Sequence, residues 1–405
     1  MSTNFPDMPN DSAACCKLVR SAIEKRLITA NFGDDPMRFL PDSAFSEVAD
    51  HQIIDQILMS TVLETEVRSS TVGKLMNGGK RIFATCIWGS LPPLMLRDIL
   101  ANVGDRLDKA LPLAPGSFPA SFPQENVQNF INAQWFFLAP QFIEGKFTNL
   151  LSEETQIPIQ YSTGDSLGKG AEAEVFNAEI MGDQQIPGFT KSFALKMINN
   201  PREENGEHIT LEKFSGTTVL QHLNIASIHS GFQFKGKLYL IAERADSGSL
   251  ETYMENNRSG AQSLLKGQGK EWLSQQMRGL AAALTKIHTG VPGFSITHHD
   301  IKPDNILVHS QPDVMFKITD WGCSSVEKYI PKLIEFRKEI DDAESGDFCR
   351  PDEPGILLDV VTRSLSKLET SKNENWRSEV RVIRDMLATD PRTRISAAAA
   401  ADKLG

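Results

Sequence analysis

Cysteine is scarce in this chain of 405 residues: there are five (Cys15, Cys16, Cys86, Cys323, Cys349), odd in number and with no CxxC pair. That excludes a disulfide framework and a cage of paired thiolates, and it fits reduced thiols in the cytosol or nucleus. Basic residues are also in deficit, with 42 Lys plus Arg against 52 Asp plus Glu and a net charge of −10. A surface that neutralises many phosphates needs the opposite balance, so no nucleic-acid partner is expected, although a local pocket for one phosphorylated ligand remains compatible. Long apolar runs are missing; the Trp135 to Ala139 stretch is far too short to cross a bilayer, and no membrane partner is expected. No basic segment followed by an apolar run opens the chain, whose first basic residue is Lys17, so secretion is not expected. What is present, 40% hydrophobic and 23% charged residues, describes a globular protein long enough for two or three domains.

The pattern along the chain divides it. Residues 1–40 mix Pro, Asp, Asn and Ser with little periodicity and are expected to form an irregular arm. Residues 41–155 are expected to be helical: Ile53, Ile54, Ile57, Leu58 and Val62 recur at helical steps, as do Leu96, Ile99, Leu100, Val103 and Leu107. Prolines 112, 115, 119 and 123 read as a linker, followed by a helix from Glu125 to Leu138. The Trp135-Phe136-Phe137 cluster reads as helix core, with docking of this region onto the rest of the chain, or onto a partner, as its second use.

From about residue 156 the grammar changes. Glu174 to Ile180, Ser192 to Ile198, Ser227 to Phe234 and Lys237 to Glu243 read as strands, the last two joined by a turn at Lys235-Gly236. A long helix follows from Glu271, with Leu273, Met277, Leu280, Leu284 and Ile287 on one face. Strands first and helices after make an α+β arrangement of two lobes.

Three constellations carry chemistry. In Leu167-Gly168-Lys169-Gly170, glycines between two strand-like runs let the backbone approach a phosphate chain; the spacing is not that of a Walker A loop. In Phe193-Ala194-Leu195-Lys196, alternation puts a small residue and a lysine on one strand face, which suits a nucleotide pocket. The third is His298-His299-Asp300-Ile301-Lys302-Pro303-Asp304-Asn305, followed by Asp320-Trp321-Gly322. It supplies a carboxylate to orient a hydroxyl, a cation for a moving phosphoryl group, and oxygen ligands for Mg²⁺.

With these three in order, residues 160 to 400 resemble the eukaryotic protein kinase family. The resemblance implies a bilobal kinase-like fold over 156–405, with an N-lobe at about 156–243 and a C-lobe at about 246–405, preceded by the α-helical extension. It implies ATP and Mg²⁺ as cofactors. Leu167, Gly168, Lys169, Gly170 and Val175 would form the lid over ATP, with Ala194 and Lys196 beneath it. Glu212 would be the glutamate paired with Lys196, with Glu207 as the second choice. Glu243 and Ala245 would flank the adenine hinge behind a small gatekeeper, Ala242. Asp300 and Lys302 would be catalytic, and Asn305 and Asp320 would hold the metal. The Lys-Pro-Asp-Asn run resembles the serine/threonine type of loop, with an unidentified protein as substrate.

The sequence departs from that family at several points. Ala173 replaces the third lid glycine, His299 the arginine before the catalytic aspartate, and Trp321 the phenylalanine after the metal aspartate. About forty residues separate Glu353, in a degenerate Pro-Glu segment, from Arg394, its expected ion partner, so the C-lobe is short. An ATP-binding scaffold or pseudokinase is therefore the alternative to an active serine/threonine kinase. A small-molecule kinase is a third reading, against which Lys302, Gly322 and the Arg394 segment stand.

Overall fold

The computed structural model describes residues 11–59, 64–170, 172–186, 192–201, 206–256, 269–310 and 314–328. The expectations for Val62, the Glu353 segment and the Arg394 segment lie outside the described residues. The chain forms two compact units. One comprises Met1–Glu144, Leu150–Ile198 and Gln233–Tyr239; the other comprises Gly145–Asn149, Asn199–Phe232 and Leu240–Gly405.

The first unit begins where the sequence suggested an irregular arm, and that expectation is corrected. Helix α1 (Ser12–Arg26) starts because the Asp11 carboxylate accepts from the Ala13 and Ala14 amides, and it ends on Lys25 and Arg26, which suit the negative helix terminus. Strands β1 (Ile28–Phe32) and β2 (Asp35–Phe39) then form a hairpin about Gly33, whose φ of +62° an L side chain tolerates poorly. Their alternation is short and is interrupted by Pro36, which hides it from a periodicity reading. Helices α2 (Phe45–Val48), α3 (His51–Met59), α4 (Thr65–Met76), α5 (Lys80–Trp88), α6 (Pro93–Val103) and α7 (Gln124–Gln134) follow. They close on one core containing Val19, Ile23, Phe45, Ile54, Ile57, Phe83, Leu96, Phe130 and Phe137. The proline-rich stretch is tied to it: buried Gln134 accepts from the Leu113 N–H and donates to its carbonyl, at 2.8 and 3.1 Å.

The hairpin joins this helical part to the strands beyond it. After the two-residue strand β3 (Asn149–Leu150) come β4 (Ile159–Lys169), β5 (Ala173–Ile180) and β6 (Ser192–Ile198), paired antiparallel in sequence. Strand β1 adds to β4 in parallel through Phe32 and Tyr161, and the Gly33 N–H donates to the Tyr161 carbonyl at 3.2 Å. The Phe32 ring packs within 6 Å of Tyr161, Phe234 and Tyr239. Lys235, at the turn of the next hairpin, pairs with Asp35 at 2.7 Å. The region read as a separate extension thus shares a sheet with the strands of the glycine turn.

Strands β7 (Ile228–Phe234) and β8 (Lys237–Ala242) meet at the expected turn, where Lys235 and Gly236 have φ of +47° and +73°. The second unit holds helices α8 (Glu207–Phe214), α9 (Leu250–Asn256) and α10 (Gly269–Thr289). It also holds two antiparallel pairs: β9 (Phe294–Thr297) with β12 (Ser325–Lys328), and β10 (Ile306–His309) with β11 (Met315–Ile318). In α10, Leu280, Ala281, Ala283 and Ile287 are buried, and buried Gln276 accepts from the Phe316 N–H. A Cβ on Gly279 would fall 2.4 Å from the Asn224 side chain, so this close approach requires glycine. Asn224 in turn donates to the Phe316 carbonyl, which fixes β11 against the loop before β7. The fold is α+β, and helical in both units.

Candidate active site

In the first unit, strand register brings the expected nucleotide residues onto one sheet face. Gly168 lies opposite Val175, and Val175 lies opposite Lys196. Directly paired residues share a face, so Gly168, Val175 and Lys196 form a row across three strands, with Ala194 two positions from Lys196 on the same side. A register shift between Ser166 and Gly168 bends β4 just before the turn. The Gly170 N–H donates to the Ala173 carbonyl at 2.8 Å and closes that turn, while Lys169 pairs with Glu174 at 3.4 Å. Leu167 is half exposed, and Ala194 is buried.

In the second unit, the loop expected to be catalytic is a closed hydrogen-bonded circuit between β9 and β10. Asp300 Oδ2 accepts from Lys302 Nζ and from Asn305 Nδ2, both at 2.8 Å. Asn305 is buried, and its Nδ2 also donates to the Asp300 carbonyl at 2.9 Å. Desolvation alone would lower the Lys302 ammonium, but the Asp300 hydrogen bond and charge, with Asp320 and Asp304 nearby, hold it above the ordinary lysine value. Lys302 is charged under all physiological conditions.

His298 is the strut beneath this loop. Its Nδ1 accepts from the Asp300 N–H at 3.3 Å, so Nε2 carries the proton and donates to the Thr319 carbonyl at 3.0 Å. Burial pushes its pKa down, against the raising effect of the Thr319 bond, and the ring is neutral. Thr319 in turn donates its N–H to the Asn305 carbonyl at 3.0 Å, tying the catalytic loop to the Asp320 turn. His299 and Asp320 both adopt left-handed backbone, at φ of +63° and +68°, a strained state for residues with a Cβ. His299 is exposed and meets the Ser325 hydroxyl at 2.8 Å.

The donor set at Asn305 and Asp320 suits Mg²⁺. The Asn305 nitrogen is spent on Asp300, which leaves its carbonyl oxygen, and Asp320 contributes a carboxylate; both are hard oxygen ligands. The Asp320 carboxylate is steadied by the Gly322 N–H at 3.2 Å.

Trp321 fills the place after Asp320 and is almost wholly buried. Its ring lies 4.9 Å from both Phe214 and His298. Its backbone N–H donates to Glu207 Oε1 at 3.1 Å. Glu207 is buried at the start of α8, and Thr210, one turn on, meets the Ser324 hydroxyl at 2.7 Å. Glu212, the first choice for the partner of Lys196, accepts through Oε1 from the Phe147 N–H and the Thr148 hydroxyl. The carboxylate that faces the Asp320 turn is the second choice, Glu207. The signal was in the sequence, since Glu207, Thr210 and Phe214 follow one helical stripe.

The hinge residues are braced from behind. Glu243 accepts from Lys317 Nζ with both oxygens, at 2.9 and 2.8 Å, and from the Ser227 N–H at 2.8 Å. Its side chain is therefore structural, whatever its backbone binds. Past Ala245, Asp246 accepts from the Ser310 N–H and hydroxyl, and the Val308 N–H donates to Gly248, which straps this segment to β10. Beside the catalytic loop, Glu251 is pushed up to about 7, first by a hydrogen bond with Asp304 and then by burial. Cys323 is exposed.

Residues 161–338 match the family model of the protein kinase domain. Curated relatives are serine/threonine-protein kinases. One is DCLK2 of Ailuropoda melanoleuca, 27% identical over 47% of this chain and 22% of that protein. The shk1/pak1 kinase of Schizosaccharomyces pombe is 29% identical over 43% of this chain and 23% of its own length. Ribosomal protein S6 kinase alpha-2 of Mus musculus is 26% identical over 51% and 28%. The chain thus spans under a third of the length of these relatives.

Proposed function

We propose, for a chain that belongs to the protein kinase family through residues 161–338, that it transfers the γ-phosphate of ATP to a serine or threonine hydroxyl of a protein, with Mg²⁺. The observation that carries this reading is the Asp300–Lys302–Asn305 circuit. Two donors fix Asp300 Oδ2 and leave Oδ1 to accept the hydrogen of an incoming hydroxyl. The proton passes to that oxygen as the hydroxyl becomes a nucleophile. Lys302 stays cationic and stabilises negative charge that develops beside it. Bound ATP and Mg²⁺ supply the phosphoryl group and the neutralisation of its oxygens. Asn305 and Asp320 would hold the cation, and the row Gly168, Val175, Ala194 and Lys196 would receive the nucleotide.

The reading places the reaction in the cytoplasm or nucleus, in line with the absence of disulfides among the described cysteines. The test is radiolabelled transfer from ATP to a generic protein substrate. Asp300→Asn should reduce it by roughly 10²- to 10⁴-fold. Equal rates for that variant and the wild type would remove the assignment.

One observation favours a second reading, an ATP-binding scaffold without turnover. His299 stands where the family carries an arginine, and its ring meets the Ser325 hydroxyl at 2.8 Å. A thermal shift with ATP and Mg²⁺, unaccompanied by transfer, would support the scaffold.

A further inference from the structure

Helix α8 has eight residues, too few to be stable in isolation, yet it presents Glu207 to Trp321 and Thr210 to Ser324. Something must hold its other side. Within the same unit, residues 145–148 run beside strand β7: the Gly145 N–H donates to the His229 carbonyl at 2.7 Å, and the Gly231 N–H donates to the Lys146 carbonyl at 2.8 Å. Phe147 is then fully buried. Its N–H reaches Glu212 Oε1 at 2.8 Å, and the Thr148 hydroxyl reaches the same oxygen at 3.1 Å. The fit is close, because Gly145 has φ of +75° and a Cβ there would fall 2.8 Å from the Ser215 hydroxyl at the end of α8.

We infer that residues 145–148 are a built-in clip on helix α8, with Phe147 and Glu212 as positioning residues that hold Glu207 against the Trp321 amide. The clip precedes the segment that matches the kinase family model, 161–338. Its chemistry is specific: one buried ring removes the segment from water, and one carboxylate oxygen satisfies two donors at once. The consequence for turnover rests on the kinase reading above, while the consequence for helix order does not.

The full-length chain is compared as wild type, Phe147→Ala, Glu212→Ala and Glu212→Gln. Two readouts are taken: amide hydrogen exchange across α8 and Trp321, and kcat with the KM for ATP. A glutamine keeps a carbonyl acceptor for Phe147 and Thr148, so exchange in Glu212→Gln should stay within about threefold of wild type, while both alanine variants should speed it by about tenfold or more. The KM for ATP should hold in Glu212→Gln, with kcat falling in the alanine variants. Unchanged exchange in both alanine variants would overturn the clip. So would a glutamine variant as impaired as Glu212→Ala, since that marks a charge requirement such as a lysine partner. If no variant, including wild type, transfers phosphate, the kinase reading fails and the exchange data still decide the clip.

Discussion

Asn305 Nδ2 lies 2.8 Å from Asp300 Oδ2 and 2.9 Å from the Asp300 carbonyl, so one buried amide fixes both the side chain and the backbone of the same residue. Replacing it with alanine removes both restraints and leaves Lys302 as the sole donor to Oδ2. Asn305→Ala should lower transfer by about 10²-fold, the cost of a catalytic group misplaced by an ångström. Steady-state kinetics check this; thermal unfolding within a few degrees of wild type would exclude unfolding as the cause, and an unchanged Mg²⁺ dependence would separate a misplaced Asp300 from the lost metal oxygen of Asn305.

The Glu243–Lys317 pair is about four-fifths buried, at 2.8 Å, and Glu243 also receives the Ser227 N–H. Glu243→Ala leaves a cation and an amide unpaired in the interior, and it should cost about 3 kcal/mol. Urea unfolding measures it. Paired removal, Glu243→Met with Lys317→Met, should recover part of the loss.

Acid should weaken the fold through histidine. His208, His222, His288, His298 and His309 are all held below the ordinary histidine value, chiefly by burial. The folded state therefore binds fewer protons than the unfolded one below about pH 6.5, and stability present above that pH is lost as pH falls through it. His298 alone contributes at most about 1.4 kcal/mol per pH unit in that window. Glu251, pushed up to about 7, acts in the opposite sense between its folded value and its ordinary one. Urea midpoints at pH 7.5, 6.5 and 5.5 should fall in Glu251→Gln more steeply than in wild type, and a flat series in that variant would contradict the assignment.

Gly33 has φ of +62°, and a Cβ there would sit 2.8 Å from the Tyr161 hydroxyl. Gly33→Ala should destabilise the chain by about 1–3 kcal/mol through strain at the turn. It should also disturb the glycine turn at the far end of β4, read as a raised KM for ATP.

The catalytic loop and the strands β5 to β8 were legible because their signals are local. Asp300, Lys302 and Asn305 stand within six residues, and Lys235-Gly236 marks its own turn. The hairpin at Ile28–Phe39 was not, because five-residue strands with a proline carry little periodicity and its stabilising partner, Tyr161, is distant in sequence. Sequence position named both Glu212 and Glu207, and it says nothing about which side of a helix another segment covers. Phe147 and Thr148, which bind Glu212, lie outside any motif.

The parallel pairing of Phe32 with Tyr161 also bears on how the molecule is made. About 130 residues separate the two, so the hairpin leaves the ribosome on the order of ten seconds before its neighbour strand exists. Throughout that interval the outer amides and carbonyls of β1 are an open template, the kind of edge that recruits other chains. The helical core of Val19, Ile54 and Phe83 can assemble meanwhile and hold the hairpin in place. Translation rate and chaperone access over this interval should therefore govern yield more than mutations in the catalytic loop do.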